Sequence, residues 1–293
     1  MELLQLHYFR TVARLEHMTK AAEELQIAQP ALSKTISRLE ADLGVRLFDR
    51  HNRQIRLNTF GKAFLKKVDA ALTALDEGRR EVADLAGLAR GSIAIATNSL
   101  HRLAEVVGAF RAMYPEVDIR ILQVPPAQGE EMNRLLEAGD VDLCFGASAM
   151  NRPGICEQVA WEAEVFLAVP SGHRLERESG IALTEAAGET FIEYKQGHPF
   201  RSDNEGFCRL AGIQRNVMYE VEDPESLKSL VIAGLGVAFM PVDKRRAKDP
   251  QFTLLPIKSP SCRRRYFVSW VDKRYVSQAA EQFKQFLVTY FRR

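Results

Sequence analysis

The residues best placed to do chemistry are Gln29, Pro30, Ser33, Lys34, Ser37 and Arg38. Their spacing puts them on one side of a helix, with amide, hydroxyl, ammonium and guanidinium groups, two cations and no acid. Between them Leu32, Ile36, Leu39 and Leu43 recur at spacings of four, three and four, which marks one buried stripe. A helix that buries one side and presents such donors on the other suits a DNA major groove, where base edges accept and donate hydrogen bonds. An ordinary amphipathic helix whose polar face meets water has the same pattern.

Several elements must hold that face in place. The stretch from Met18 to Leu43 reads as two short helices with a break at residues 26–29. Leu25 closes the earlier one, and Pro30 takes a first helical position, where its missing N–H is unpaired in any case. Thr19 is expected to cap the earlier helix, and Ala21 and Ala22 to let it pack closely. Upstream, Leu3, Leu6, Phe9, Val12 and Ala13 form a supporting stripe, and downstream Gly44 is placed to end the polar-faced helix in a left-handed conformation. Val45, Leu47 and Phe48 read as apolar anchors. The stretch from Arg50 to Arg56 alternates enough for a short β-hairpin, with Asn52 tolerant of the turn. Arginines on such a hairpin reach phosphates or the minor groove; a solubilising loop is the other reading.

The 293-residue chain has a net charge of only +2, which says little about its partners. The distribution is more informative. Residues 30–67 hold nine Lys/Arg against three acids, a local excess of +6, on a chain that is otherwise close to neutral. That is the electrostatic footprint of phosphate binding.

These residues carry a resemblance. The run Ala21-Ala22, Leu25, Gln29-Pro30-Ala31-Leu32-Ser33, Ile36, Leu39-Glu40, Leu43-Gly44, Leu47-Phe48, Arg50 and Gly61 resembles the winged helix-turn-helix of the LysR-type transcriptional regulators. The resemblance implies a sequence-specific DNA-binding regulator of transcription. Its expected contacts with double-stranded promoter DNA are Thr19, Gln29, Pro30, Ala31, Ser33, Lys34, Ser37 and Arg38, with Arg50 and Arg53 on or beside the wing. Asn58 stands where the family usually has Thr and caps a helix equally well. Lys34 occupies a place often held by Arg or Gln, which leaves base preference open, because Lys lacks the bidentate fork.

From Thr59 to about Leu88 the pattern is one long helix, with Val68, Leu75, Val82 and Ala89 in one heptad register and Phe64, Ala71, Gly78 and Leu85 in the other. Pairing with another helix is expected; packing on its own domain is the alternative. The resemblance adds that two such linker helices run antiparallel, that the dimer assembles to a tetramer, and that RNA polymerase is a further possible partner.

Residues 86–91 read as a hinge, after which strands and helices alternate, the pattern of an open, mostly parallel sheet. Expected strands are 92–96, 117–122, 141–145, 164–170, 190–193, 216–221, 237–241 and 265–270. Glu137-Ala138-Gly139-Asp140-Val141-Asp142-Leu143 and Leu230–Pro241 resemble landmarks of the LysR effector domain. That domain is similar to periplasmic binding proteins, with two α/β lobes joined by two crossovers and a small-molecule effector in the cleft. The expected fold is therefore α/β overall. A mainly α winged helix-turn-helix (1–58) leads through a linker helix (59–90) to a two-lobed effector domain (91–293). Lobe 1 is expected at about 91–162 plus 266–293, and lobe 2 at about 163–265.

In open α/β sheets ligands sit beyond the carboxyl ends of the strands. That rule selects Thr97, Asn98, Ser99 and Leu100, then Val124 and Pro125, then Gly146, Ala147 and Ser148. From the second lobe it selects residues 195–202, among them Lys195, Phe200, Arg201 and Ser202, with Glu222 and Asp223. Ser99 is either an anion ligand at a helix N-terminus or a simple N-cap. Lys195 and Arg201 either complement a carboxylate or form a solvated loop. An anionic metabolite is the expected effector.

No Gly-x-Ser-x-Gly, P-loop, His-Glu-x-x-His or dinucleotide fingerprint occurs, and the six histidines are dispersed. No enzymatic activity, cofactor or metal site is expected. No run of about 18 apolar residues exists to span a membrane. The start lacks the pattern of a signal peptide, so a cytoplasmic location is expected. Cys144, Cys156, Cys208 and Cys262 are scattered and read as reduced thiols; Cys208 has no cysteine near it in sequence for a redox pair.

Overall fold

A computed structural model describes residues 1–51, 54–86, 91–126, 128–242 and 251–291. The chain divides into two units, Met1–Ala89 and Arg90–Arg293.

The first unit runs α1 (Leu3–Leu15), α2 (Met18–Glu24), α3 (Gln29–Leu43), β1 (Phe48–His51), β2 (Gln54–Leu57) and α4 (Thr59–Leu85). Its core joins Phe9 and Val12 of α1, Leu32, Ile36 and Leu39 of α3, Leu47, Phe48, and Val68 and Leu72 of α4. The Phe9 ring lies 5.5 Å from Phe48 and 5.3 Å from Phe64, so α1 is clamped between wing and linker helix. β1 and β2 form an antiparallel hairpin with Phe48 opposite Leu57 and His51 opposite Gln54. Gly44 ends α3 in the left-handed conformation, φ +72°, as its position predicts. Asn58 caps α4, its Oδ1 accepting from Gly61 N at 2.9 Å.

Four local expectations need correction. Leu3 is half exposed, because it falls about 120° around the helix from Phe9; Gln5 is buried on that side instead. Val45 is exposed rather than an anchor, since it follows the chain reversal at Gly44. Thr19 does not cap α2; it lies inside the helix, and His17 is the N-cap, its Nδ1 accepting from Lys20 N at 3.3 Å. Pro30 is the second helical residue, not the first, which is equally free of cost because the first four N–H groups of a helix lack intrahelical partners.

The second unit runs β3 (Ser92–Thr97), α5 (Leu100–Met113), β4 (Asp118–Gln123), α6 (Gly129–Ala138), β5 (Leu143–Gly146) and β6 (Ile155–Pro170). It continues β7 (Ile181–Ala182), β8 (Thr190–Tyr194), α7 (Pro199–Ala211), β9 (Asn216–Val221) and α8 (Pro224–Ile232). It ends β10 (Ala238–Val242), β11 (Phe252–Ser259), β12 (Arg263–Val271) and α9 (Gln278–Tyr290). The main sheet has the order β4-β3-β5-β12-β6-β11-β7, with β10 also on β6; β8 and β9 pair separately and in parallel.

In the main sheet β4-β3-β5 form the parallel part that the alternation predicts, and β8-β9 form a second parallel pair apart from it. β12 is antiparallel to both β5 and β6, and β10 and β11 are antiparallel to β6. β6 is 16 residues long, nine longer at its start than the sequence pattern indicates. The reason is a β-bulge: Trp161 pairs with Tyr266 but Val159 with Phe267, so Ala160 is an extra residue that breaks the period-two alternation. The first half of β6 pairs with β12 beside the parallel strands, and the second half carries β10 and β11. One apolar core lies under β3, α5 and α9 and extends to Ile192, Tyr194, Phe200 and Tyr266; another gathers Val165, Leu167, Phe191, Phe207 and Phe239.

Candidate nucleic-acid interface and ligand cleft

On α3 the burial divides the two faces as the pattern predicts. Leu32, Ile36 and Leu39 are fully buried, whereas Gln29, Pro30, Ala31, Lys34, Ser37 and Arg38 are exposed and Ser33 is half-buried. Lys34 and Arg38 have no ion-pair partner among the described residues. The acids of the helix are turned away from this face. Asp42 meets the N-terminal amine at 3.2 Å. Glu40 is buried, and its Oε1 accepts from Leu47 N at 2.8 Å and Phe48 N at 3.3 Å. That carboxylate ties the end of the polar-faced helix to the start of the wing. Its role was hidden in the sequence, where Glu40 reads as one more charge on a helix.

The wing is secured from both sides. Leu57 N donates to Glu16 Oε1 at 2.8 Å, and Asn58 Nδ2 donates to Arg46 O at 2.9 Å. A Cβ on Gly61 would lie 2.2 Å from Leu47 O, so only glycine lets α4 start this close. Arg56 is exposed on β2, and Lys62, Lys66 and Lys67 are exposed on α4. Arg50 lies on β1; Asn52 and Arg53 lie outside the described residues.

In the second unit the loops after β3 and β5 meet. Asn98 Oδ1 accepts from the Ser99 hydroxyl at 3.1 Å and from Ala147 N at 3.4 Å, and it lies against the space where a Gly146 side chain would sit. Ser99 N donates to Thr97 Oγ1 at 2.9 Å, and Val124 N donates to Thr97 O at 2.9 Å. Thr97, Asn98, Ser99, Val124, Gly146 and Ala147 are thus one cluster, with Leu100 opening α5. Pro125 and Ser148 are exposed at its edge. Ser99 occupies the N-cap position of α5 but makes no side-chain capping bond, so the simple N-cap reading fails.

From the other side, Lys195 and Arg201 do not offer an unengaged charge. Lys195 Nζ pairs with Glu222 Oε1 at 2.6 Å, and Arg201 bonds Glu220 at 2.5 Å, Glu205 at 3.1 Å and Tyr194 O at 2.9 Å. Asp223 is the N-cap of α8, accepting from Ser226 N at 2.9 Å. Ser202 is exposed, whereas Phe200 is buried.

The positive charge lies elsewhere, on two arginines that sequence reasoning missed. In the triplet Arg263-Arg264-Arg265 the strand period turns the outer two to solvent and the middle one inward. Glu162 takes Arg263 at 2.7 Å and Arg265 at 3.0 Å, while the Arg264 side chain is 0% exposed. Its Nη2 donates to Asn204 Oδ1 at 2.8 Å and its Nε to Asp203 at 3.2 Å, and its guanidinium lies 3.7 Å over the Phe200 ring. Arg102, on α5, lies 4.9 Å over Trp161 and donates to Pro241 O at 2.9 Å, bridging α5 and β10. Tyr266 stacks on Trp161 at 4.9 Å and stands 6.2 Å from Phe200. The signal available beforehand was the alternation of a strand through a run of three arginines.

Burial shapes the chemistry here. It pushes the His198 imidazole down to about 4, with Arg264 adding to the effect, so the ring is neutral and its Nδ1 accepts from Phe200 N at 3.1 Å. The same ring stacks on Tyr194 at 4.1 Å. Burial raises the Tyr194 and Tyr266 phenols, against the opposing pull of Arg264 and Arg102. Cys208 and Cys262, distant in sequence, share one apolar cluster; burial pushes their thiols up to about 12 and about 11, which disfavours the reactive thiolate.

Such an assembly is a helix with an exposed, acid-free polar face beside a wing on one unit, and a polar cluster at strand ends together with a set of stacked aromatics on an α/β sheet of the other. Comparison with known proteins agrees. Residues 3–62 match the bacterial regulatory helix-turn-helix of the lysR family, and residues 86–292 match the LysR substrate binding domain. The chain belongs to the LysR family of bacterial transcriptional regulators. It is 36% identical over 296 residues to the uncharacterized HTH-type transcriptional regulator YybE of Bacillus subtilis, covering 99% of each chain. Among solved structures, full-length CbnR complexed with its target DNA is similar with a TM-score of 0.69 at 23% identity, over 98% of this chain and 99% of that one. The effector binding domain of QuiR in complex with shikimate matches with a TM-score of 0.59 at 21% identity, over 69% of this chain and 97% of that one. The protein is a DNA-binding transcriptional regulator with an effector-binding domain.

Proposed function

We propose that this regulator reads promoter DNA through Gln29, Pro30, Ala31, Ser33, Lys34, Ser37 and Arg38 of α3, with Arg50 and Arg53 on the wing and Thr19 at the edge of the contact. The observation that carries the reading is the one-sided burial of α3, which leaves an acid-free exposed face from Gln29 to Arg38. Residues 1–58 form the DNA-binding domain, 59–90 the linker and 91–293 the effector domain, with lobe 1 at about 91–162 plus 266–293 and lobe 2 at about 163–265. Two copies pair through α4, on which Leu75, Val82 and Leu85 are exposed and apolar at spacings that recur every seven residues with Val68 and Gly78. Paired dimers make a tetramer, and two recognition helices read two half-sites. The protein acts in the cytoplasm without enzymatic activity, and RNA polymerase is its partner at an activated promoter.

The effector binds near Thr97, Asn98, Ser99, Gly146 and Ala147, beside Phe200, and shifts the DNA-binding pairs by differential affinity for two arrangements of the lobes. CbnR with its target DNA and the QuiR domain with shikimate support both halves of this reading. The test is binding of the full-length protein to the intergenic DNA upstream of its own gene. Ser33→Ala should lose discrimination at particular base positions; a uniform loss removes Ser33 from base readout. Arg53→Ala should weaken all sequences alike and lower the salt slope by about one.

A further inference from the structure

The first unit carries a second row of cations, apart from those on the α3 face. Lys62 and Lys66 stand about one turn apart on α4, about 6 Å along its axis and about 40° around it, and both are exposed. Neither has an ion-pair partner among the described residues. Between Asp49 and Asp69 the sequence holds no acid. Like charges at this spacing repel on a helix, and the positive end of the α4 dipole adds to the same potential. The second unit treats its surface cations differently: Arg134, Arg152, Arg174, Lys195, Arg263 and Arg265 each meet a carboxylate. An unpaired, self-repelling row has its complement in an anion from outside the chain.

The row is continuous with the α3 face. Ser37, Glu40, Ala41, Gly44, Val45 and Arg46 line one surface hollow of about 420 Å³, so Ser37 of the exposed face and Arg46 border the same space. The acid among them, Glu40, is bonded to Leu47 N and Phe48 N. Arg46 is exposed and has no ion-pair partner among the described residues. Its backbone lies against the start of α4: Arg46 O accepts from Asn58 Nδ2 at 2.9 Å, and Leu47 O accepts from Asn58 N at 3.1 Å. Arg56 stands apart from this row, because Asp49 lies opposite it across the wing. Lys67 stands apart as well, about 140° around α4 from Lys62.

We propose that Arg46, Lys62 and Lys66 form a phosphate track for duplex DNA outside the base-reading contact, a sequence-independent grip on the backbone that flanks the half-site. Phosphates follow one another every 3.4 Å of axis along a strand, so cations about 6 Å apart on α4 reach separate ones. The exposed residue between the two lysines is Ala63, which offers no hydrogen bond to a base edge. The track therefore fixes position and adds affinity without reading sequence. It rests on the reading that α3 docks on DNA, and it extends that contact onto the wing base and the first turns of α4.

The test measures binding of the full-length protein by fluorescence anisotropy over a series of salt concentrations. Two duplexes are compared, one of mixed sequence and the other the intergenic DNA upstream of its own gene. Lys62→Gln, Lys66→Gln and Arg46→Gln should each lower the slope of log affinity against log salt by about 0.9, and the two lysine changes together by about 1.8, alike on both duplexes. Lys67→Gln, the same charge on another side of the helix, should leave the slope unchanged. All four side chains are exposed, so the variants should melt with the parent. An equal fall for Lys67→Gln shows a diffuse field and overturns the track. Unchanged slopes in the Lys62 and Lys66 variants, a fall confined to the intergenic DNA, or no binding of the mixed-sequence duplex overturn it too. Lys34→Gln separates the two levels. A slope lowered by Lys34→Gln but not by Lys62→Gln or Lys66→Gln leaves the α3 contact standing and removes the track; no binding of either duplex by the unmutated protein removes both.

Discussion

Asn204 accepts a hydrogen bond from Arg264 Nη2 at 2.8 Å while its own amide nitrogen donates to Glu193 at 2.8 Å, so one neutral side chain joins a buried cation to a buried carboxylate. The partners fix which way the amide points: its oxygen must face the guanidinium and its nitrogen the carboxylate.

That bridge makes a sharp prediction. Asn204→Leu keeps the volume roughly but leaves Arg264 and Glu193 each short of a buried partner. The loss of stability should be about 3 kcal/mol, at the scale of breaking a buried charge pair. Urea denaturation of the full-length protein would check this; a change within experimental error would show that water replaces the amide.

His198 gives the second unit a pH dependence of definite sign. Its folded pKa, about 4, lies below the ordinary 6.5, so its contribution is complete above about pH 6.5 and is lost as pH falls toward 4. The total cannot exceed about 3.4 kcal/mol at 1.36 kcal/mol per pKa unit. His198→Gln, which retains an acceptor, should flatten that part of the stability profile between pH 6.5 and 4. An unchanged slope would assign the acid sensitivity to other groups.

At Gly61 the argument is steric. Gly61→Ala places a methyl group 2.2 Å from a backbone oxygen, and that oxygen belongs to Leu47, whose side chain is in the core of the first unit. A destabilisation of roughly 1–3 kcal/mol is expected. Weaker DNA binding on every sequence should accompany it, measured by gel shift alongside thermal melting.

Lys34 and Arg38 carry the exposed positive charges of α3. Lys34→Ala should reduce the dependence of log affinity on log salt concentration by about one if Lys34 sits on a phosphate. If it reads a base instead, the salt slope should stay nearer its original value and one base position should lose its preference.

Much of the DNA-binding unit was legible because its signals are local. Leu32, Ile36 and Leu39 are buried at helical spacing, Gly44 reverses the chain, and Asn58 caps the next helix. What escaped was held by contacts between distant residues, such as Glu16 with Leu57. In the second unit the helices and parallel strands were readable from alternation, but β6 was not, because the extra residue Ala160 shifts its period. β11 went unrecognised, although Phe252 and Leu255 are buried. The meeting of the loops after β3 and β5 was legible, because strand order and strand ends dictate it. Arg264 was not, since its burial depends on a β12 register that sequence periodicity only hints at, and its partners lie about 60 residues away on α7.

The pairing of β6 with β12 bears on how the molecule responds to a ligand. From Ile155 opposite Val271 to Glu164 opposite Arg263, the two strands that connect the halves of the second unit are laced together along the whole passage. Two separate loops would swing like a hinge; a laced ribbon resists bending in its own plane and yields most easily by torsion about its long axis. An effector that moves these halves against each other would have to twist the ribbon, most readily where Ala160 loosens the ladder. The extent of that rotation would set how much free energy a bound molecule has to spend on the movement.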